Sequence, residues 1–419
     1  MIELIEKIEG EAKLDFSFKN NKIDYVGIEF MSTRHIENIL QNKPLLDALV
    51  INPRVCGICG HAHLIATVQA IENCFENLEL SNKAKLIREL TLNFELIQNH
   101  FKWFYLVVFP LLGLQQNLKN ASYPTNLMGK AIATVGGQYP HNSYAIPGGI
   151  SSEILPMDLI NLNHLIDETL EFYVSQIADV NLENFLTCEN IENVEKRKGD
   201  LPKVMKLLKQ KGYEKIGKSY DRFITFGENS YFKSGKAEKT RVTKNLDLKY
   251  VEEFNVKNSY AKNVMYKEKY YEVGPLSRAM MKKTPLIKDS HRRYADSIFS
   301  RIVARVCEIA QLLVHSKELI KQIDISEPSY IKPNQKINEL NAHGESAVEA
   351  ARGSLIHKLD VVDGKINNYE IITPTQWNLA NGTKDNLGIS QKAMLGLEDI
   401  EVAKLVFKSF DVCSVCTTH

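Results

Sequence analysis

Two C-x-x-C pairs stand near opposite ends of this 419-residue chain, Cys56 with Cys59 and Cys413 with Cys416. Two residues between thiols let both sulfurs face one ion from a single turn, and thiolates select soft or borderline metals such as zinc, nickel, copper or iron. A lone pair would also suit redox exchange. Here each pair is followed closely by a histidine, His63 and His419, which favours a metal. A structural zinc held by four cysteines is the commonest use of such pairs, but zinc ribbons are local and these pairs are separated by most of the chain. A centre shared between them forbids cutting the chain into independent pieces. The expectation is one intertwined domain over residues 1–419, with 189–245 as the only candidate for an inserted peripheral segment.

Composition narrows the function class. Lys and Arg total 52 against 51 Asp and Glu, a net charge of +1, which argues against nucleic acid or an anionic membrane as the main partner. Seven cysteines are too few for a disulfide scaffold of this length. The N-terminus lacks the apolar stretch of a signal peptide. The most apolar run, residues 103–114, contains Pro110 and is too short to span a bilayer. A soluble protein is expected, cytoplasmic or at the cytoplasmic side of a membrane, or exported with a signal-bearing partner.

The pattern along the chain predicts a predominantly helical α+β fold. Residues 12–30 alternate around Lys19-Asn20-Asn21-Lys22 and read as a hairpin with Leu14, Phe16 and Phe18 on one face. Helices are expected from just after Cys59 to about Asn77, from Asn82 towards Leu114 with a break or kink at Pro110, and after Pro156. Residues 286–323 read as one long helix or two, and 388–409 as a last helix. Short strands and loops fit 212–275, and a hairpin fits 353–373 around Asp363-Gly364. Cys74, Cys188 and Cys307 read as packing residues.

The motifs resemble those of the large subunit of nickel–iron hydrogenases, over almost the whole chain. Arg54-Val55-Cys56-Gly57-Ile58-Cys59 with His63 is similar to R-x-C-G-x-C-x-x-x-H, and Asp411-Val412-Cys413 through Cys416 to His419 is similar to D-P-C-x-x-C-x-x-H. Lys7-Ile8-Glu9-Gly10 resembles R-I-E-G-H, and Arg34-His35-Ile36-Glu37 resembles R-G-x-E. Gly136-Gly137 with Pro140-His141, then Pro147-Gly148-Gly149, resembles G-G-x-x-P-H and P-G-G. Glu272 to Arg278 resembles E-V-G-P-L-A-R, Glu349 to Gly353 with Leu355 and His357 resembles E-A-P-R-G-x-L-x-H, and Pro374 to Asn378 resembles P-T-T-W-N.

The resemblance implies a fold with a central helix bundle and peripheral β-hairpins. It also implies reversible heterolytic cleavage of dihydrogen at a nickel–iron centre. Cys56 and Cys413 would be terminal ligands of nickel, and Cys59 and Cys416 would bridge nickel to an iron carrying cyanide and carbon monoxide. Arg352 and Thr375 match donors to the cyanides, and Arg352 also places a positive charge beside the open metal position. Cys413 matches the thiolate that takes the proton and Glu9 the carboxylate that relays it outward, a role suited to a partly buried acid. Asp411 belongs to the same closing motif. His63 resembles a histidine that hydrogen-bonds a bridging sulfur. Glu37, His419 and the Ile371 carbonyl match a magnesium site. His100 reads as supporting the site or packing.

The three remaining cysteines are too few for even one four-iron cluster, so an iron–sulfur small subunit is expected to carry the electrons. Maturation proteins would insert the metals. The chain departs from the family at Val412 and Ala351, each in place of Pro, at Asn99 in place of an acid, and at Trp103 in place of His. Ile58 and Val107 match the neck of a gas channel. Family precursors often carry a cleaved tail after the last His, and ending at His419 keeps a second reading open, a hydrogen-sensing subunit of low turnover. A respiratory complex I relative lacks the four cysteines.

Overall fold

The computed structural model describes residues 2–7, 10–239 and 241–413, with side chains from residue 12 onward. Glu9, Cys416 and His419 therefore lie outside the described residues. An antiparallel sheet opens the chain: β1 (Ile2–Lys7), β2 (Gly10–Lys19) and β3 (Lys22–Phe30), in that order. Asn20 and Asn21 both have positive φ, 52° and 62°, the conformation a two-residue hairpin turn requires and Asn tolerates. Leu14 and Phe16 face the core as the alternation predicts. Phe18 does not, being 41% exposed, because the register shifts between Ser17 and Phe18 and rotates it outward. The strand β1 was not foreseen.

The centre is a bundle of long helices: α1 (Gly60–Glu72), α2 (Asn82–Trp103), α3 (Leu118–Gly136), α4 (Pro156–Phe172) and α5 (Ile298–Gln322). Almost every residue of α1 is buried, so this helix has no solvent face and sits inside the molecule. It ends at Glu72, short of the expected Asn77. There the Glu72 carboxylate is spent on Arg88, with both contacts 2.8 Å, and on the Gly148 N–H at 2.9 Å. Ser81 caps α2 by accepting from the Ala84 N–H. The expected break at Pro110 begins one turn earlier, where Phe104–Val108 winds as a wider π-turn. Proline has no N–H and crowds the preceding carbonyls, and widening the turn relieves both. The sequence gives no clear periodicity for α3, which carries Pro124 within it.

A second sheet follows: β4 (Ala342–Ala350), β5 (Gly353–Val362) and β6 (Lys365–Ile372). The expected hairpin turns at Asp363 and Gly364, both at positive φ, while β4 adds a third strand. Residues 286–323 form two helices, Pro285–Tyr294 and α5. The expected last helix is also two, Ile389–Met394 and α6 (Ile400–Ser409), parted near Gly396 at φ 79°. Short strands occupy 222–266, as expected. Within 189–245, Leu201, Val204, Met205 and Leu208 pack into the same apolar cluster as the bundle. Among the described residues no helix is long and apolar enough to cross a membrane.

Both ends of the chain meet in this frame. Ile28 N–H donates to Asn381 Oδ1 at 3.0 Å, Gln391 Nε2 donates to the Val26 carbonyl at 2.6 Å, and Ile23 exchanges backbone bonds with Leu397 and Gly396. Arg278 ties the layers together from the interior. It donates to Glu308 of α5 at 2.8 and 2.6 Å, to Glu349 of β4 at 3.0 Å and to the Ala350 carbonyl at 2.9 Å. Arg278→Met leaves two buried carboxylates without their cation and should cost about 3–5 kcal/mol, read as a lowered denaturation midpoint.

Candidate metal centre

The loop before α1 delivers the first cysteine pair. Cys56 follows the turn Asn52–Arg54, and Cys59 sits at the N-terminal edge of α1. Gly60 has to be glycine, since a Cβ there would lie 2.2 Å from the Pro53 carbonyl oxygen. Cys413 arrives from the other end of the chain, after α6. Its sulfur lies 3.6 Å from that of Cys56, and the sulfurs of Cys56, Cys59 and Cys413 all fall within 4.8 Å of one another. All three are buried, Cys413 completely. The separation is far beyond a disulfide of about 2.05 Å. Three converging buried thiols are instead the donor set of a soft metal, so the residues present fit a thiolate-held centre. The other cysteines differ in kind: Cys74 and Cys307 are buried apart from this cluster, and burial pushes the Cys74 thiol up to about 12.

Asp411 anchors the closing segment. It adopts φ 59°, unusual for a residue with a Cβ, and its carboxylate holds two guanidinium groups. Arg352 stands in the tight turn between β4 and β5. Its Nε donates to the Asp411 carbonyl at 3.0 Å and its Nη2 to Oδ1 at 3.3 Å. Arg305 of α5 binds the other carboxylate oxygen and lies over the Trp103 ring at 4.6 Å. Arg305 escaped the sequence reading, because one arginine in a long mixed helix looks like a solvated charge.

The buried histidines near the cluster pack and position their neighbours. His63 Nδ1 meets His357 Nε2 at 3.1 Å, and His357 Nδ1 meets the Tyr369 hydroxyl at 2.8 Å. His100 bonds Glu308 at 2.8 Å, and burial pushes its imidazole down to about 4. His61 bonds Thr91 at 2.9 Å and Asn142 at 3.3 Å, and burial pushes it down to about 4.

Glu37 is not an exposed helix charge: it accepts the Ile371 N–H at 2.8 Å and lies 3.2 Å from Lys262 Nζ, which also contacts Glu253 at 3.1 Å. Thr375 is buried near the start of the helix Pro374–Asn378. Ile58 and Val107 are half-buried. Asn99, in the acid's place, donates at 2.8 Å to the Ile58 carbonyl between the two cysteines.

Two outcomes follow. Asp411→Asn removes the charge that two buried arginines share and should release the closing segment, read as less metal retained per chain after purification. For His61, the unfolded chain takes up a proton near pH 6.5 but the folded chain only near 4, so stability falls as pH drops through that window. The loss is on the order of 3 kcal/mol, and His61→Gln should flatten that part of a pH series of denaturation midpoints.

The family model described as nickel-dependent hydrogenase matches residues 34–109 and 111–419. The chain is similar to the alpha subunit of sulfhydrogenase 1 from Pyrococcus furiosus, at 24% identity over 100% of this chain and 97% of that one. It is also similar to the periplasmic nickel–iron–selenium hydrogenase large subunit of Desulfomicrobium baculatum, at 24% identity over 100% of this chain and 94% of that one. Its fold matches the nickel–iron–selenium hydrogenase of D. vulgaris Hildenborough in the reduced state, with a TM-score of 0.83, 22% identity and complete coverage of both chains. With its thiols gathered from both ends and this match along nearly its whole length, the chain belongs to the nickel-dependent hydrogenase family as a large-subunit hydrogenase.

Proposed function

We infer that the chain cleaves dihydrogen heterolytically and reversibly, and that an iron–sulfur small subunit accepts the electrons. The observation that carries this reading is the meeting of Cys56, Cys59 and Cys413 in one buried cluster, with the Asp411 clamp two residues away. Cys56, Cys59, Cys413 and Cys416 would hold a nickel–iron centre, which when bound supplies the Lewis acidity and redox capacity for splitting hydrogen. Arg352 and Thr375 would donate to cyanide on its iron, and carbon monoxide would complete that iron's ligands. Maturation proteins would build and insert this centre.

The chain's own residues supply position and proton handling. Burial excludes water from the thiols. Cys413 would hold a proton at Sγ, and Glu9 would pass it towards solvent. Arg352, bonded to Asp411 two residues before Cys413, would keep a cation beside the thiol cluster. Glu37, the Ile371 carbonyl and His419 would hold magnesium. The pairing of chain ends supports reading residues 1–419 as a single intertwined unit. Cys74, Cys188 and Cys307 are too few for one four-iron cluster and leave electron relay to a partner, through which any contact with a membrane would be made.

Nickel analysis and infrared spectroscopy of the anaerobically purified complex test this reading. About one nickel per chain with cyanide and carbon monoxide bands is expected, and Cys413→Ser should abolish both. Zinc alone without those bands would contradict it.

A further inference from the structure

Helix α2 carries a polar stripe that packing does not explain. Glu95, Gln98, Asn99 and Lys102 recur at helical spacing on one face, and the first three are buried. At the inner end, Glu95 Oε2 accepts the His61 N–H at 2.8 Å and Oε1 accepts the Ala62 N–H at 2.9 Å. These are orphan donors of the first turn of α1, which begins right after Cys59 and has no side-chain cap of its own. Asn99 binds the Glu95 carbonyl and the Ile58 carbonyl, both at 2.8 Å. At the outer end, Lys102 Nζ donates to Gln98 Oε1 at 3.2 Å.

The stripe ends in a groove of about 750 Å³ between α2 and α3, lined among others by Gln98, Lys102, Leu106, Thr125, Tyr139 and Pro140. Three buried polar atoms on this lining, Gln98 Nε2, Thr125 Oγ1 and the Tyr139 hydroxyl, find no well-formed hydrogen bond among the described residues. Gln98 and the Tyr139 hydroxyl lie within reach of each other, and polar groups this loosely joined beside open space are places for ordered water.

We propose that this stripe is a proton route between the thiol cluster and solvent, running from Glu95 through water at Gln98, Thr125 and Tyr139 to Lys102 and the groove. It is separate from the exit assigned to Glu9, and it rests on the hydrogenase reading. A proton from the Cys56 side protonates the Glu95 carboxylate and moves along the bound water to Lys102, which releases one of its own protons to solvent and takes the incoming one in its place. No bond other than those to the proton changes.

The stations have suitable surroundings. Burial pushes the Glu95 carboxyl up to about 8; the Cys56 thiolate adds to this, and the His61 and Ala62 N–H groups and Lys102 oppose it. Burial holds the Lys102 ammonium below the usual lysine range; Arg352 adds to this, and Glu95 and Cys56 oppose it. Burial holds the Tyr139 phenol well above its usual range; Glu95, Cys59 and Cys56 add to this, and the Gln98 side chain opposes it.

The test uses the assembled complex. Lys102→Ala should slow hydrogen oxidation about 10- to 100-fold with nickel content and metal-ligand infrared bands unchanged, and added ethylammonium, small enough to enter the groove, should restore it. In pH-difference infrared spectra a protonated carboxylic acid band should titrate near neutrality in the wild type. It should be absent in Glu95→Gln and recovered in Glu95→Asp. Unchanged turnover in Lys102→Ala, a loss that ethylammonium does not restore, or a loss that tracks missing nickel would each overturn the route. If the wild-type complex itself held nickel and turned over hydrogen, the hydrogenase reading would survive that failure. A wild type without nickel or turnover would bring down both.

Discussion

Cys56 and Cys413 approach to 3.6 Å across 357 residues of chain. Closing a loop of that length costs about 5 kcal/mol of chain entropy before any contact forms. The cost is met by packing rather than by the thiols. Strands β2 and β3 bury Leu14, Phe16, Val26 and Ile28 against the same apolar cluster that takes Leu405, Val406 and Phe407 of α6. Backbone bonds between Ile23 and both Leu397 and Gly396 then fix the register of the two ends. The convergence of the thiols is thus a consequence of fold closure, and anything that loosens the closure loosens the cluster.

Charge is arranged around the thiols in the same spirit. Arg305 and Arg352 share the single carboxylate of Asp411, which leaves one positive charge in excess beside Cys413. In a buried site an unbalanced cation is expensive unless an anion stands near it. Metal-bound thiolates would supply that anion, so the clamp and the ligands would stabilise each other. Further out, Glu308 and Glu349 share the Arg278 guanidinium, and Arg301 pairs with Glu272 at 2.9 Å. Each buried guanidinium of this layer is thus held by a carboxylate as α5 passes the sheet.

Much of the site was legible because its residues are short motifs with fixed chemistry. The spacing of the cysteines announced a shared metal, and Asn20-Asn21 and Asp363-Gly364 announced their turns through the positive φ that those residues accept. What remained hidden was set by tertiary context. Glu95 and Arg305 sit in helices whose other charges look solvated, and only the packing shows them buried. Phe18 obeys the alternation in sequence, yet the bulge beside it turns it outward. The strand β4 reads A-H-G-E-S-A-V-E-A, poor in β-branched residues, and forms because β5 pairs with its whole length. Helix α3 hides behind Pro124 and a polar composition.

A closure built on packing brings ligands from both ends of the chain to one metal centre. Anomalous diffraction at the nickel edge, on crystals of the assembled complex, measures this directly. A nickel peak within bonding distance of the sulfurs of Cys56, Cys59 and Cys413 is expected. A peak held by only one of the two cysteine pairs, or no nickel among these sulfurs, would contradict it.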